Sequence, residues 1–199
     1  LVACNTTNAI ALEVIKKNLD VPVFDLIGSV ASTIQESRVG VIATSSTVKT
    51  KAYTNAILEF KPNTFVIEQS CPEFVPMIEM DKTNSDELTD VAIGYIQPLL
   101  EHKIDSLILG CSHYPLITPL ITEILPSSVK LIDPAEDLSL KLKLFMDSKI
   151  SNLSKEQYFA DSKFYVTSNR KQFPFKAKHW LNVFPEVKLV SLQKKGCVS

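Results

Sequence analysis

Short β-branched runs alternate with longer stretches of helical period along almost the whole of this 199-residue chain, and that alternation is what most constrains its fold. The pattern predicts strands at Leu1–Ala3, Val23–Leu26, Val39–Thr44, Thr64–Glu68, Ser106–Leu109, Val129–Ile132, Phe164–Thr167 and Val187–Val190. It predicts helices between them, among them Thr6–Asn18, Thr47–Phe60, Ser85–His102 and Pro115–Leu125. Ser85 precedes Asp86 and Glu87, an N-cap followed by acids that suit the positive end of a helix. Pro115 fits a first helical turn, where its missing N–H costs nothing. Repeated βα units imply an α/β fold of parallel sheets covered by helices on both faces.

In such folds ligands bind beyond the carboxyl ends of the strands. Two cysteines fall there: Cys4, just after Leu1–Ala3, and Cys111, just after Ser106–Leu109 and Gly110. The usual nucleotide loops are not supported, because the chain has only five glycines and no Gly-rich phosphate motif. The formal net charge is −1 and no run of Lys or Arg stands out, which argues against nucleic acid as a partner. Lys141, Lys143 and Lys149 read as the wet face of a helix. No apolar run approaches the roughly 20 residues that cross a bilayer, so no membrane partner is expected. The four cysteines, at 4, 71, 111 and 197, form no CxxC pair and no zinc pattern. They read as reduced thiols of a cytoplasmic protein, with no metal.

The two strand-end motifs share a layout. Val2-Ala3-Cys4-Asn5-Thr6-Thr7 and Leu109-Gly110-Cys111-Ser112-His113-Tyr114-Pro115 each run from an apolar strand through a thiol and a small polar residue into a helix. A helix N-terminus stabilises thiolate, so lowered thiol pKa values are expected at both. His113 is placed to hold or relay a proton. Inverting a stereocentre by proton transfer needs one group on each face of the carbon, one taking a proton and the other delivering one. Two thiols of similar kind suit that task. The charge of the carbanion needs fixed donors, which Asn5, Thr6, Ser112 and nearby backbone N–H groups supply. A lone cysteine after a strand is more often simple packing, but two matching motifs in polar company weigh against that reading.

At these residues the sequence resembles the cofactor-independent aspartate/glutamate racemase superfamily, and its glutamate racemases in particular. Ala3-Cys4-Asn5-Thr6 is similar to the family's first cysteine motif. Gly110-Cys111-Ser112-His113-Tyr114-Pro115-Leu116 is similar to the second, which usually reads GCTHYPL, with Ser112 in place of the threonine. Val39–Thr44 followed by Thr47 and Ala52-Tyr53 resembles the entry strand and hydroxyl-rich turn of the second domain. Cys71-Pro72-Glu73-Phe74-Val75-Pro76-Met77-Ile78-Glu79 resembles the CPxFVPxxE segment, and Leu131-Ile132-Asp133 the strand that returns to the first domain. The resemblance implies two flavodoxin-like parallel-sheet domains with the active site between them: residues 1–27 and 133–199 in the first, 28–132 in the second. It implies Cys4 and Cys111 as the proton donor/acceptors and Asn5, Thr6, Ser112 and His113 as substrate contacts. Glu79 is implied as an aid to the proton relay, and Thr44 and Thr47 as residues lining the cleft, although helix capping explains the two threonines nearly as well. The implied reaction interconverts L- and D-glutamate without cofactor, in the cytoplasm, and supplies D-glutamate for peptidoglycan. Family members are often homodimers. Cys71 is expected to be packed, Cys197 incidental, and His102 and His179 solvated or part of amphipathic helices.

The family also has an Asp-Ser-Gly segment and a Tyr-Gly turn upstream of the first cysteine motif, and neither is present in this chain. The chain thus reads as a fragment lacking the first strands of domain one, and poor folding and low activity are expected of it alone. Rival readings are an aspartate racemase of the same superfamily, a non-catalytic small-molecule binding domain on the same fold, and a thiol redox protein.

Overall fold

The structure is a computed structural model that describes residues 1–146 and 162–192. It divides into two compact units, Leu1–Asp147 and Ser148–Ser199, each described by itself below.

The first unit is built on a four-stranded, wholly parallel sheet of β1 (Arg38–Ala43), β2 (Phe65–Ser70), β3 (Ser106–Gly110) and β4 (Lys130–Ile132), in the spatial order β2-β1-β3-β4. Alternating side chains send the strands' apolar residues to two faces. Ile42, Leu107 and Leu109 pack with Phe74, Ile78, Leu88, Ala92, Ile96 and Tyr114 on one face. Val39, Val41, Ala43 and Ile108 pack with Val30, Tyr53 and Ile57 on the other. Every residue of β3 is buried, as expected of a central parallel strand covered on both sides.

The helices fall largely where the periodicity places them. They are α1 (Asn5–Asn18), α2 (Leu26–Ala31), α3 (Ser45–Thr50), α4 (Ala52–Phe60), α5 (Phe74–Glu79), α6 (Asp86–Glu101), α7 (Thr118–Ile124) and α8 (Pro134–Phe145). The Ser85 hydroxyl accepts from Leu88 N–H at 3.2 Å and caps α6 as expected. Asp133 caps α8 by accepting from Ala135 N–H at 2.9 Å.

Four local expectations are corrected. The stretch 47–60 is two helices, because Lys51 adopts the left-handed conformation (φ 56°) between α3 and α4. The Thr50 hydroxyl donates to Thr47 C=O at 2.7 Å, the local competition by which threonines weaken a continuing helix. The expected strands at 1–3 and 23–26 shrink to a single parallel bridge, Val2 to Asp25. Asp25 caps α2 through Gly28 N–H at 2.7 Å and draws Leu26 into that helix. The segment after Cys111 begins as a 3₁₀ turn, Tyr114–Ile117, before α7. Lys143 is exposed as expected, but Lys141 is only partly on the wet face: half-buried, its ammonium donates to Ser32 Oγ at 2.8 Å and Gly28 C=O at 3.2 Å, joining α8 to α2. Lys149 and Cys197 lie outside the described residues.

In the second unit β5 (Phe164–Val166) and β6 (Val187–Leu189) pair in parallel around α9 (Phe173–Leu181), one βαβ crossover. His179 in α9 stands edge-to-face to Trp180, at 4.4 Å between ring centres.

Candidate active site

The register of the sheet brings the strand ends level. Ala43 at the end of β1 pairs with Ser70 on β2 and with Gly110 on β3. The next residues, Thr44, Cys71 and Cys111, therefore emerge side by side. After β1 the chain places β2 on one side and β3 on the other, so the order reverses between β1 and β3. That reversal opens the crevice in which open α/β sheets bind ligands, and Thr44 and Cys111 sit at its lip.

Gly110 makes the Cys111 position. A β-carbon there would lie 2.7 Å from Ile42 C=O, 2.9 Å from Ala43 Cβ and 3.1 Å from the Tyr53 ring, so a side chain at 110 would force the two central strands apart. Cys111 follows with 6% of its surface exposed. Burial pushes its thiol up from the usual range, and negative charge on the nearby Cys4 sulfur acts in the same direction. The His113 and Tyr114 amides oppose this without overcoming it. The lowered value expected for Cys111 is thus corrected: a four-residue 3₁₀ turn offers little dipole, and desolvation wins.

His113 stands beside the thiol, its Nδ1 4.0 Å from Cys111 Sγ. Its Nε2 lies 2.8 Å from Glu79 Oε1, at the end of α5. Burial lowers the imidazole pKa, favouring the neutral ring. A neutral ring that donates Nε2–H to the Glu79 carboxylate presents its Nδ1 lone pair to the thiol. Cys111, His113 and Glu79 form a chain along which a thiol proton can be held or released.

Cys4 is the N-cap residue of α1 and is exposed. Its carbonyl accepts from Asn8 N–H at 2.9 Å and from Asn8 Nδ2 at 2.9 Å. Asn8 Nδ2 also donates to Val2 C=O at 2.8 Å, and its Oδ1 accepts from Leu26 N–H at 2.6 Å and Ile27 N–H at 3.3 Å. One buried amide thus ties the first cysteine motif to the start of α2, whose first N–H groups would otherwise lack partners.

Three threonine hydroxyls close the gap between the first motif and the sheet. Thr6 Oγ1 lies 2.9 Å from Thr44 Oγ1 and 3.3 Å from Thr47 Oγ1, and the latter two are 3.0 Å apart. Thr44 also caps α3 by accepting from Thr47 N–H at 3.3 Å. Asn5, 2% exposed, accepts through Oδ1 from the Tyr53 hydroxyl.

A cavity of about 250 Å³ opens here, with Asn5, Cys111, Ser112 and Asp133 on its polar wall and Leu26 and Leu138 on its apolar one. A larger groove of about 460 Å³ lies between α1, α2 and α4, but it holds no thiol or imidazole. All nine residues predicted from sequence thus fall into one neighbourhood, linked directly or through the cavity. The linking residues Asn8, Tyr53 and Asp133 were not among them. Cys71 is packed as expected, 1% exposed, with its thiol 3.7 Å from Gln69 C=O and raised well above its usual range by burial. Among the described residues no group of three His, Cys, Asp or Glu side chains could hold a metal ion, and no helix is long and apolar enough to cross a membrane.

The molecule is an α/β protein whose helix-covered parallel sheet brings a thiol, an imidazole and a carboxylate into line at its switch point, the groups that thiol-centred proton transfer uses. Residues 1–137 match the family model of Asp/Glu/hydantoin racemases. The chain is 80% identical over all its 199 residues to a glutamate racemase of Prochlorococcus marinus (strain NATL2A), covering 75% of that protein. It is 41% identical to the glutamate racemase of Synechococcus sp. (strain CC9605), over 95% of this chain and 72% of that one. The crystal structure of the Francisella tularensis glutamate racemase in complex with D-glutamate matches with a TM-score of 0.83 at 34% identity, over 94% of this chain and 71% of that chain. The chain belongs to the Asp/Glu/hydantoin racemase family, and its α/β fold is of the aspartate/glutamate racemase type.

Proposed function

We propose that the protein is a glutamate racemase, interconverting L- and D-glutamate by proton transfer between Cys4 and Cys111 on opposite faces of Cα. The observation that carries the reading is the convergence of two distant thiol motifs at one switch point, in a chain 80% identical to a glutamate racemase. One thiolate removes the Cα proton while the other thiol delivers a proton from the opposite face. Charge moves from Cα onto the substrate carboxylate, and N–H and O–H groups of Asn5, Thr6 and Ser112 receive it. The His113–Glu79 pair takes up and returns the Cys111 proton between turnovers. Thr44 and Thr47 hold Thr6 in place and complete the hydroxyl wall. Residues 28–132 form one domain in this proposal and 1–27 with 133–199 the other, with the substrate between them.

D-glutamate made in this way would supply peptidoglycan precursors, which places the protein in the cytoplasm with a small-molecule substrate, and a homodimer is the assembly to look for. The racemase family also includes enzymes of aspartate, and the solved aspartate racemase of Picrophilus torridus shares the fold, with a TM-score of 0.51 at 22% identity. Circular dichroism of the full-length protein with each amino acid separates the two. Loss of optical rotation with glutamate and none with aspartate is expected. Turnover of aspartate alone, or of neither, would overturn the reading.

A further inference from the structure

Tyr53 belongs to neither cysteine motif and touches both. It comes from α4, is 0% exposed, and sends its hydroxyl to Asn5 Oδ1, one residue beyond Cys4. Its ring lies against Gly110, one residue before Cys111, so closely that a β-carbon on that glycine would stand 3.1 Å from Cε2. A buried hydroxyl proton needs an acceptor, and Asn5 Oδ1 is the one it has. Flipping the Asn5 amide would leave that proton unpaired. The orientation that satisfies Tyr53 therefore leaves Nδ2 as the end of the amide available to the cavity that Asn5 lines with Cys111.

We propose that Tyr53 is a positioning residue of this racemase: its hydroxyl fixes the Asn5 amide with both N–H donors toward the substrate carboxylate, and its ring sets the spacing between Asn5 and Cys111. The inference rests on the glutamate reading above. Burial holds the phenol far above its usual range, with Cys111 adding to the effect, so it remains a neutral donor at every working pH. It carries no proton of the reaction and acts through Asn5. Because charge on the substrate carboxylate grows as the carbanion forms, losing the oriented donors lowers kcat more than it raises KM.

The test uses the full-length protein. Tyr53→Phe keeps the ring and removes the hydroxyl. It is expected to lower kcat about 10- to 100-fold, the usual worth of a hydrogen bond to a charged group, with KM changed less than about threefold. In an Asn5→Ala background the same substitution should cost less than about a further twofold, since the residue through which it acts is gone. A thermal melt of Tyr53→Phe guards against misfolding: its melting temperature should stay within a few degrees of wild type while kcat falls. Normal kcat in Tyr53→Phe, a loss of kcat that only follows a lost melting temperature, or losses that multiply in the Tyr53→Phe/Asn5→Ala double variant would overturn the proposal. Wild-type protein that racemises no glutamate would overturn the glutamate reading first, and the positioning role with it.

Discussion

The two thiols occupy the same kind of place and live in different surroundings. Cys111 follows a fully buried strand, is itself buried, and has an imidazole and a carboxylate lined up behind it. Cys4 follows a single bridge residue pair, is exposed, and is held through its backbone by Asn8, while its neighbours Asn5 and Thr6 reach toward α4 and the β1–α3 turn. In the proposed reaction the Cys111 side manages a proton, and the Cys4 side holds donors against the sheet. A symmetric reaction does not require a symmetric site. It requires only that each thiol can exist in both protonation states when its turn comes.

The largest test of this division is to remove each thiol. Cys4→Ser and Cys111→Ser should each reduce racemisation about 1,000-fold or more, because a hydroxyl is a far poorer proton acceptor. Steady-state assays in both directions check it, and normal turnover by either variant would end the two-thiol account. Gly110→Ala comes next. Its β-carbon would press on Ile42 C=O and the Tyr53 ring, so a loss of about 1–3 kcal/mol is expected in a denaturant melt, as for an overpacked core. An unchanged midpoint would mean that β3 is not packed that closely against β1 and the Tyr53 ring.

Glu79→Gln probes the furnished side. A neutral amide no longer fixes the imidazole tautomer, and kcat/KM should fall about 10- to 100-fold, the usual cost of an outer partner of a working histidine. Enantiomers have equal free energy, so kcat/KM must fall equally in both directions. Asymmetry between the sides can appear only in kcat and KM taken separately, or in isotope exchange. Thiol labelling gives a smaller but direct contrast: iodoacetamide at neutral pH should modify exposed Cys4 well before Cys111, whose thiol is buried and raised in pKa. Mass spectrometry of tryptic peptides reads the order, and the reverse order would contradict the burial described above.

The smallest effect is on stability against pH. Cys111 is raised on folding, so its contribution is complete below the unfolded thiol value, about 8.5, and is lost as pH rises beyond it. His113 is lowered on folding, so its contribution is complete above the unfolded value, about 6.5, and is lost as pH falls through the lower folded one. Thermal melts should therefore decline on both sides of neutrality, and Cys111→Ser should remove part of the alkaline decline only.

What was legible in the sequence was local or periodic. The strands β1, β3 and β4, the cap at Ser85 and the two thiol motifs are each written in a few adjacent residues, and the family resemblance joined the motifs into one site. What was not legible depends on contacts across long stretches of chain. Asn8 reaches α2 across 18 residues and Tyr53 reaches Asn5 across 48, and Asn8 leaves no signal beyond a polar atom in an apolar period. Tyr53 had a weak one, the hydroxyl-rich turn that precedes it. The pKa of Cys111 was misread for the same reason: the helix start is visible in the sequence, but the desolvation that outweighs it comes from the whole core.

The central claim, that two thiols exchange protons across Cα, is tested most directly by racemising L-glutamate in deuterated water with the full-length protein. Nuclear magnetic resonance then follows Cα at low conversion. Two groups acting from opposite faces predict that the first D-glutamate formed carries deuterium while the remaining L-glutamate keeps its proton. D-glutamate that retains the substrate proton, or L-glutamate that exchanges as fast as D-glutamate appears, would show one group serving both faces and would contradict the account.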